Sequence, residues 1–501
     1  MLRKLLVFIF MIFIKCFEVG SPMFLRSPLS GRSFLGNRMN AAVLSSSQND
    51  FKRDYETKYY QQILDHFTFT PRGTYDHTFQ QRYLLVKKYW GGPRTYSPIF
   101  VYIGDEGDIE PIKDYTSSLM TQLATHSSAL LVYIEHRYYG SSMPFGSEKE
   151  SFRNATTLGY LTAEQAMADC ATLIVDLKKN LSALDCPVVV LGGSYGGMLA
   201  AWFRLKYPHI AHGALAVSAP ILYFEDITPQ DAYSRIATKD FRSVSETCYT
   251  TIKNSWGEID KVGSTPAGLA HLRKTFNTCQ VFTNTTDLID RLLYNYEEAA
   301  QYDYELVKAI CEGIDGLPQG TDILTRISAG AAFYNNYNGN AKKCLDLKID
   351  INQGFEWQRC TQMVMPFSYT PNTTMFPLDI FDMESYAEYC WRTYGVRPRA
   401  NWITTEFGGH NIKRVLKRFG SNIIFSNGLR DPYSGAGVLE SVSESIVALV
   451  AAEGVHCQDL RAPNSNDPQS VKEMRLKEIG IIRKWISKYK DDLRKNISNS
   501  T

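Results

Sequence analysis

One six-residue stretch limits this chain more than any other. Gly192-Gly193-Ser194-Tyr195-Gly196-Gly197 follows the run PVVVL (187–191) and precedes MLAAWFRLKY (198–207). A short run that is apolar at every residue is the pattern of a strand in a parallel sheet, where helices cover both faces. The motif is therefore predicted to turn a buried strand into a helix. A serine hydroxyl is a weak nucleophile unless it is exposed at a strained turn and served by a base. The GxSxG elbow meets that need. Side chains at positions 192 and 196 would collide with the neighbouring strand and helix, hence the glycines. The helix N-terminus adds backbone N–H groups, and that of Tyr195 is placed to stabilise an oxyanion. The bare pattern also occurs by chance; the strand–turn–helix setting is what gives it weight. No Gly-Lys-Ser/Thr follows, so a phosphate-binding loop is excluded.

Such a nucleophile takes its acid and then its histidine from later strand ends. The histidines after Ser194 are His209, His212, His271, His410 and His456. His209 and His212 come too soon after the elbow helix, His271 lies in a helical stretch, and no strand leads into His410. His456 follows the strand-like SIVALVA (445–451) through a short loop. It is the expected general base. Asp431 follows NIIFSNG in the same way and is expected to orient it, accepting the Nδ1–H. Asp459 is the rival acid, but it stands only three residues from His456 and is read as structural. A core histidine bonded to backbone is the alternative for His456.

The rest of the chain supports an α/β fold. Residues 79–87, 97–103 and 129–134 read as strands rich in aromatic and branched side chains. Residues 162–180 carry apolar groups at helical spacing. From about 221 to 399 long helical stretches dominate, 289–310 among them, and six cysteines fall there. Strand signal returns at 422–425 and 445–451, and a last helix is expected from Ser470 to about Lys488. The predicted division is a split α/β domain (56–220 and 400–501) with an inserted helical cap at 221–399. No internal repeat is present.

Export is predicted for the N-terminus. Arg3 and Lys4 precede an apolar run at 5–14, and small residues follow at Gly20 and Ser21. This reads as a signal peptide over 1–20, then a propeptide or loose tail over 21–55. An uncleaved anchor is the alternative, but a membrane span needs roughly 20 apolar residues. Of the ten cysteines, Cys16 lies in the leader; the odd number left implies at least one unpaired thiol. None forms a CxxC pair, which speaks against zinc ribbons and thioredoxin-like motifs. Sequons at Asn154, Asn180, Asn284, Asn372, Asn496 and Asn499 suit a glycoprotein of the secretory pathway, lysosomal, vacuolar or extracellular. A net charge of +2 without a basic block makes nucleic acid a poor partner. Serine chemistry calls for no metal or cofactor.

GGSYGG, SNGLRDPYSGAG (426–437) and EGVHCQDLR (453–461), in that order, resemble the serine peptidase family that holds lysosomal Pro-Xaa carboxypeptidase and dipeptidyl peptidase II. YIGDEGDIE (102–110), EHRYYGSSMPFG (135–146), YLTAEQAMAD (160–169) and GVRPRANWITTEFGG (395–409) extend the resemblance over most of the chain. It implies an α/β-hydrolase fold with a helical, disulfide-stapled cap, and cleavage beside proline. TQMVMPF (361–367) and GVRPRANWITT look closer to the carboxypeptidase branch. The family's proline pocket carries over onto Met198, Met365 and Tyr433, where the family commonly has Trp. Its second catalytic-loop histidine is Cys457 here, read as a packing residue. Arg461 resembles a basic residue that tunes the base. Gly104 is taken as the second oxyanion donor beside Tyr195. The resemblance also implies the disulfides Cys248–Cys311, Cys279–Cys344 and Cys360–Cys390, and a Cys170–Cys186 pair is considered.

Proline has no N–H and a fixed ring, so a small apolar pocket replaces extended-strand recognition. The expected partners are peptides containing proline, and a homodimer is the assembly considered. The expected reaction releases the last residue of peptides ending in Pro-Xaa. Release of N-terminal dipeptides competes with it. Glu106 would then bind the substrate ammonium, against a structural role holding the oxyanion loop. A lipid or ester hydrolase and an inactive binding protein are the readings from other classes.

Overall fold

Period-2 alternation on the strands sets up a three-layer arrangement. A computed structural model describes residues 54–69, 78–337 and 344–498. The predicted signal peptide, most of the tail and Asn499 lie outside these residues, as does the side chain of Asn496. The eight strands found among them are β1 (Glu56–Ile63), β2 (Thr78–Val86), β3 (Ile99–Ile103), β4 (Leu130–Ile134), β5 (Val188–Gly193), β6 (Gly213–Val217), β7 (Ile423–Gly428) and β8 (Ile446–Ala451). They form one sheet in the order β1-β2-β4-β3-β5-β6-β7-β8. β1 and β2 pair antiparallel with their neighbours, and the rest of the sheet is parallel. This is the α/β-hydrolase fold. Every residue of β3, β4, β5, β6 and β7 is buried.

Helices cover both faces. α1 (Ile109–Ser127) is followed by α2 (Ala163–Asn180) and, from the elbow, α3 (Ser194–Lys206). Val101, Ile103, Val188 and Val190 point to one face and pack with Met167, Leu173 and Ile174 of α2 and Trp202 of α3. Phe100, Tyr102, Val189 and Leu191 point to the other. There they meet Leu119 and Leu123 of α1 and the C-terminal helix. The predicted strand at 422–425 extends to Gly428, and the last helix runs further than expected. Side-chain caps fix several starts. Asp108 accepts from the Glu110 N–H and Thr162 from the Gln165 N–H.

Between β6 and β7 lie α4 (Ala232–Val244), α5 (Glu246–Gly263), α6 (Pro266–Thr275), α7 (Thr286–Tyr302), α8 (Tyr304–Asp315), α9 (Ile323–Tyr337), α10 (Gln353–Thr361), α11 (Met383–Tyr394), α12 (Trp402–Phe407) and α13 (Ile412–Phe419); α14 (Gln469–Ser498) ends the chain. The stretch 289–310, read as one helix, is two. Asp303 leaves the helical conformation and caps α8 through the Glu305 N–H. α4 to α9 share a core built on Phe241, Ile252, Trp256, Leu292, Tyr296 and Ile310. By contrast Phe355, Met363 and Met365 belong to the core of the sheet layer. The helical excursion therefore divides its packing between two cores.

The three disulfides are Cys248–Cys311, Cys279–Cys344 and Cys360–Cys390. Cys170 and Cys186 do not pair. Both are free thiols buried in the apolar core beneath the sheet. No helix among the described residues is long and apolar enough to cross a membrane.

Candidate active site

The elbow is a strained turn. β5 runs to Gly193, α3 begins at Ser194, and Ser194 itself has φ +55°. That conformation is unfavourable for a side-chain-bearing residue and points the serine off the sheet edge. The tightness explains the flanking glycines. A Cβ at Gly192 would stand 2.1 Å from the Gly196 carbonyl oxygen, and one at Gly196 2.9 Å from that of Ile103. Ser194 is fully buried, and its Oγ has no hydrogen-bond partner among the described residues.

Two neighbouring loops bring the other predicted residues together. Asp431 follows β7 and His456 follows β8, and both are fully buried. His456 Nδ1 lies 2.6 Å from Asp431 Oδ2. The second carboxylate oxygen accepts the Tyr433 N–H at 2.9 Å. With Asp431 ionised, this contact puts the proton on Nδ1 and leaves Nε2 as the basic nitrogen. The loop is also held from the helical side: the His456 N–H donates to the Gln301 carbonyl at 2.9 Å.

The rival acid does other work. Asp459 accepts from Ser426 Oγ at 2.7 Å, and its carbonyl accepts from Arg475 Nε at 2.9 Å. It pins the start of the last 3₁₀ turn to β7. Arg461 Nη2 donates to the Tyr302 carbonyl at 2.9 Å and to that of His456 at 3.4 Å, and Nε donates to Tyr115 Oη at 2.5 Å. These contacts hold the backbone of the loop. Cys457 adopts φ +50°, and its N–H donates to Ser218 Oγ at 2.9 Å. Burial pushes its thiol pKa well up, so it carries little thiolate. The remaining histidines lie elsewhere: His209, His271 and His410 are exposed, and His212 packs edge-on against Tyr489.

One expectation needs correcting. The Gly104 N–H donates to the Ile134 carbonyl at 2.9 Å, continuing the β3–β4 ladder. A donor committed to the sheet cannot serve an oxyanion, so Gly104 is not the second donor. Met198, Met365 and Tyr433 are buried in one cluster with Tyr223, Tyr233 and Phe367. The Tyr433 ring lies 5.5 Å from that of His456, and Tyr223 and Tyr233 meet Tyr433 edge-on at 5.8 and 4.9 Å. Glu106 is buried, with Oε2 lacking a partner. Burial pushes its pKa up to about 7.

Sequence reasoning missed the contacts that cross between layers. Tyr195 Oη accepts from Gln358 Nε2 of α10 at 2.7 Å and lies 3.2 Å from His136 Nε2. Burial lowers the His136 pKa to about 4. Asn352 Nδ2 donates to the Glu106 carbonyl at 2.9 Å. The EHRYYG motif is scaffold. Glu135 accepts from the Ile109 N–H and from Ser142 Oγ, and Arg137 forms a bidentate pair with Asp169 at 2.6 and 2.7 Å. The first of these contacts anchors the end of the 104–108 loop.

Comparison with known proteins agrees with this geometry. The family described as Serine carboxypeptidase S28 matches residues 62–478. Lysosomal Pro-X carboxypeptidase of Mus musculus is 39% identical over 456 residues, covering 87% of this chain and 90% of that protein. The Homo sapiens protein of the same name is 38% identical over 461 residues, covering 88% and 90%. Prolyl carboxy peptidase like protein 5 of Caenorhabditis elegans is 32% identical over 478 residues, covering 87% and 90%. The chain belongs to the serine carboxypeptidase S28 family.

Proposed function

We propose that this member of the serine carboxypeptidase S28 family releases the C-terminal residue from peptides ending in Pro-Xaa. The observation that carries the reading is the 2.6 Å His456–Asp431 contact on loops beside the strained Ser194 elbow. Ser194 Oγ attacks the carbonyl carbon of proline while His456 Nε2 takes its proton. The Tyr195 N–H stabilises the tetrahedral oxyanion. The protonated His456 then gives its proton to the leaving amine, and an acyl-enzyme remains. Water, activated by the same nitrogen, releases the shortened peptide. Asp431 stabilises the imidazolium without taking its proton. Arg461, on the carbonyl side of His456, sets the position of the base.

The proline ring is assigned to the apolar cluster that holds Met198, Met365 and Tyr433, where the Tyr223 and Phe367 rings pack against Tyr433. Thioether and aromatic surfaces suit a small apolar ring. Residues 221–399 act as the cap over this pocket, consistent with the bonds from Gln301, Asn352 and Gln358 to the sheet edge. The relatives' names support a lysosomal or other secretory location. The exposure of Asn154, Asn180, Asn284 and Asn372 suits carbohydrate acceptors.

The test offers one proline peptide with a free or amidated C-terminus and a free or acetylated N-terminus. Release of the last residue, weakened by amidation and indifferent to acetylation, is expected. Cleavage lost on acetylation and kept on amidation would replace this reading with N-terminal dipeptide release.

A further inference from the structure

A carboxypeptidase must recognise a terminal carboxylate, and cations are the obvious partners for one. The arginines close to the catalytic loop and the proline pocket already have partners of their own. Arg461 is bonded to the Tyr115 hydroxyl and two carbonyls, and Arg430 lies over the Tyr304 ring and 3.9 Å from Glu453. Arg359 pairs with Glu356 at 3.1 Å, its Nε alone lacking a hydrogen-bond partner among the described residues. What the sheet edge offers instead is a pair of buried acids. Asp105 and Glu106 follow β3, immediately beside the elbow. A Cβ built on Gly196 would lie 3.4 Å from the Asp105 Cβ. Asp105 is wholly buried and Glu106 nearly so. Both Asp105 carboxyl oxygens and Glu106 Oε2 have no hydrogen-bond partner among the described residues. No described lysine, arginine or histidine stands within ion-pair distance of either acid.

Resting on the carboxypeptidase reading above, we propose that Asp105 and Glu106 receive the terminal carboxylate of the peptide as protonated, hydrogen-bond-donating acids. The pair sits between the elbow and the helical layer, Asp105 beside Gly196 and the Glu106 carbonyl accepting from Asn352 Nδ2. The Glu106 charge is felt at Tyr195, next to the nucleophile, at Tyr139, and at Tyr302, whose ring meets His456 edge-on at 5.8 Å. Asp105 is felt at Tyr102, Tyr139 and Cys457. The groups facing the pair are therefore phenols, a thiol and the Asn352 amide that holds the Glu106 carbonyl. None is a cation. Two adjacent buried carboxylates cannot both ionise without one. Burial raises both acids, Glu106 to about 7, and the neighbouring Glu106 charge adds to the rise at Asp105. In an acidic compartment the pair is neutral and donates. The peptide's own carboxylate, with a reference pKa of about 3.3–3.7, stays ionised there. An acid kept neutral by its site in order to donate a hydrogen bond is established chemistry.

The same acids, if ionised, would bind an ammonium, and the two roles have opposite pH dependence. Donation fails as pH rises through about 7, whereas ammonium binding improves. The experiment compares acetyl-Ala-Pro-Phe with its C-terminal amide in the wild type, Glu106→Gln and Asp105→Asn. The readout is the ratio of kcat/KM for acid over amide between pH 5 and pH 8, because the machinery common to both substrates cancels in it. In the wild type the ratio should fall about tenfold, the worth of one hydrogen bond to a charged group. In Glu106→Gln it should start a few-fold lower and fall less steeply, since an amide donates at every pH and only Asp105 still titrates. Asp105→Asn should flatten it partly. Fluorophosphonate labelling of Ser194 reports whether each variant has folded; if neither labels, the wild-type ratio decides alone. A flat wild-type ratio, or a Glu106→Gln ratio that falls as steeply as that of the wild type, overturns the proposal. A Glu106→Gln defect found only on peptides with a free N-terminus assigns the acids to an ammonium instead. A wild type that frees neither phenylalanine from the acid nor phenylalaninamide from the amide overturns the carboxypeptidase reading, and this inference with it.

Discussion

The sheet layer and the helical layer treat their cysteines in opposite ways. Beneath and beside the sheet, Cys170, Cys186 and Cys457 are buried free thiols that serve as small apolar groups. In the helical layer all six cysteines are bonded. The difference follows from how each layer is assembled. The sheet has five strands buried at every residue and helices on both faces, so its core needs no covalent help. The helices between β6 and β7 share a smaller core and lean partly on the other one. Closing loops of 63 and 65 residues removes about 4.3 kcal/mol of unfolded-chain entropy per bond on the simplest account. The proposed chemistry sits on the self-sufficient layer, and the stapled layer touches it through a few hydrogen bonds.

This contrast can be broken most directly at the nucleophile. Ser194→Ala should abolish fluorophosphonate labelling and lower turnover by about a millionfold, the scale seen when an activated serine is removed. Its melting temperature should stay close to that of the parent, because the elbow backbone is kept. Undiminished labelling would place the nucleophile elsewhere. Next in size is the acid. Asp431→Asn should lower kcat about ten-thousandfold by favouring the wrong histidine tautomer. Asp459→Asn should act chiefly on stability, since its partners are Ser426, the buried acid Glu478 and the backbone turn. Reversed severities would make Asp459 the orienting acid.

The disulfides sharpen the comparison. Replacing Cys248 and Cys311 together by serine should destabilise the helical layer by about 2–5 kcal/mol. Hydrogen exchange should rise in α4 to α9 while β3 to β7 stay protected. Activity should fall several-fold as the Gln301–His456 and Tyr302–Arg461 contacts loosen. Cys170→Ser introduces only a buried hydroxyl and should stay below about 2 kcal/mol. Equal losses of protection in both layers would show that they unfold as one unit.

Legibility from sequence divides along the same line. β3, β4 and β5 announce themselves as apolar runs, and the elbow follows from its setting. Asp431 and His456 were readable because each stands just after a strand signal. β1, with the polar sequence ETKYYQQI, and β6, the short GALAV, carry weak signals that only pairing makes into strands. Asp303 interrupts a continuous apolar period without a glycine or proline. Gly104 could not be judged, because the fate of its N–H depends on the register of β3 against β4. Gln301, Asn352 and Gln358 were invisible. Each reaches a residue more than a hundred positions away, and nothing local marks such a contact.

The last predicted effect concerns stability against pH, and it follows burial without a close cation in either layer. In the helical layer Glu356 is paired with Arg359 and Glu297 accepts from the Tyr369 hydroxyl, whereas burial raises Asp240 to about 8. At the sheet edge Asp105 and Glu106 have no such partner, and burial raises both. The sign is the reverse of an ordinary salt-bridged carboxylate. A raised pKa means that the folded state holds its proton more tightly than the unfolded chain does. Stability is therefore fullest below the unfolded value of about 4, and it declines as pH rises through about 7. The loss is on the order of a few kcal/mol between those limits, because one pKa unit corresponds to about 1.4 kcal/mol. Glu106→Gln removes the ionisable group, so its melting temperature should change less between pH 5 and pH 8 than that of the wild type. The gap between the two proteins should open on the alkaline side, where only the wild type must bury a charge. Parallel curves would mean that Glu106 titrates with a partner supplied by motion of the helical layer, and that the cleft is less dry than its buried acids imply.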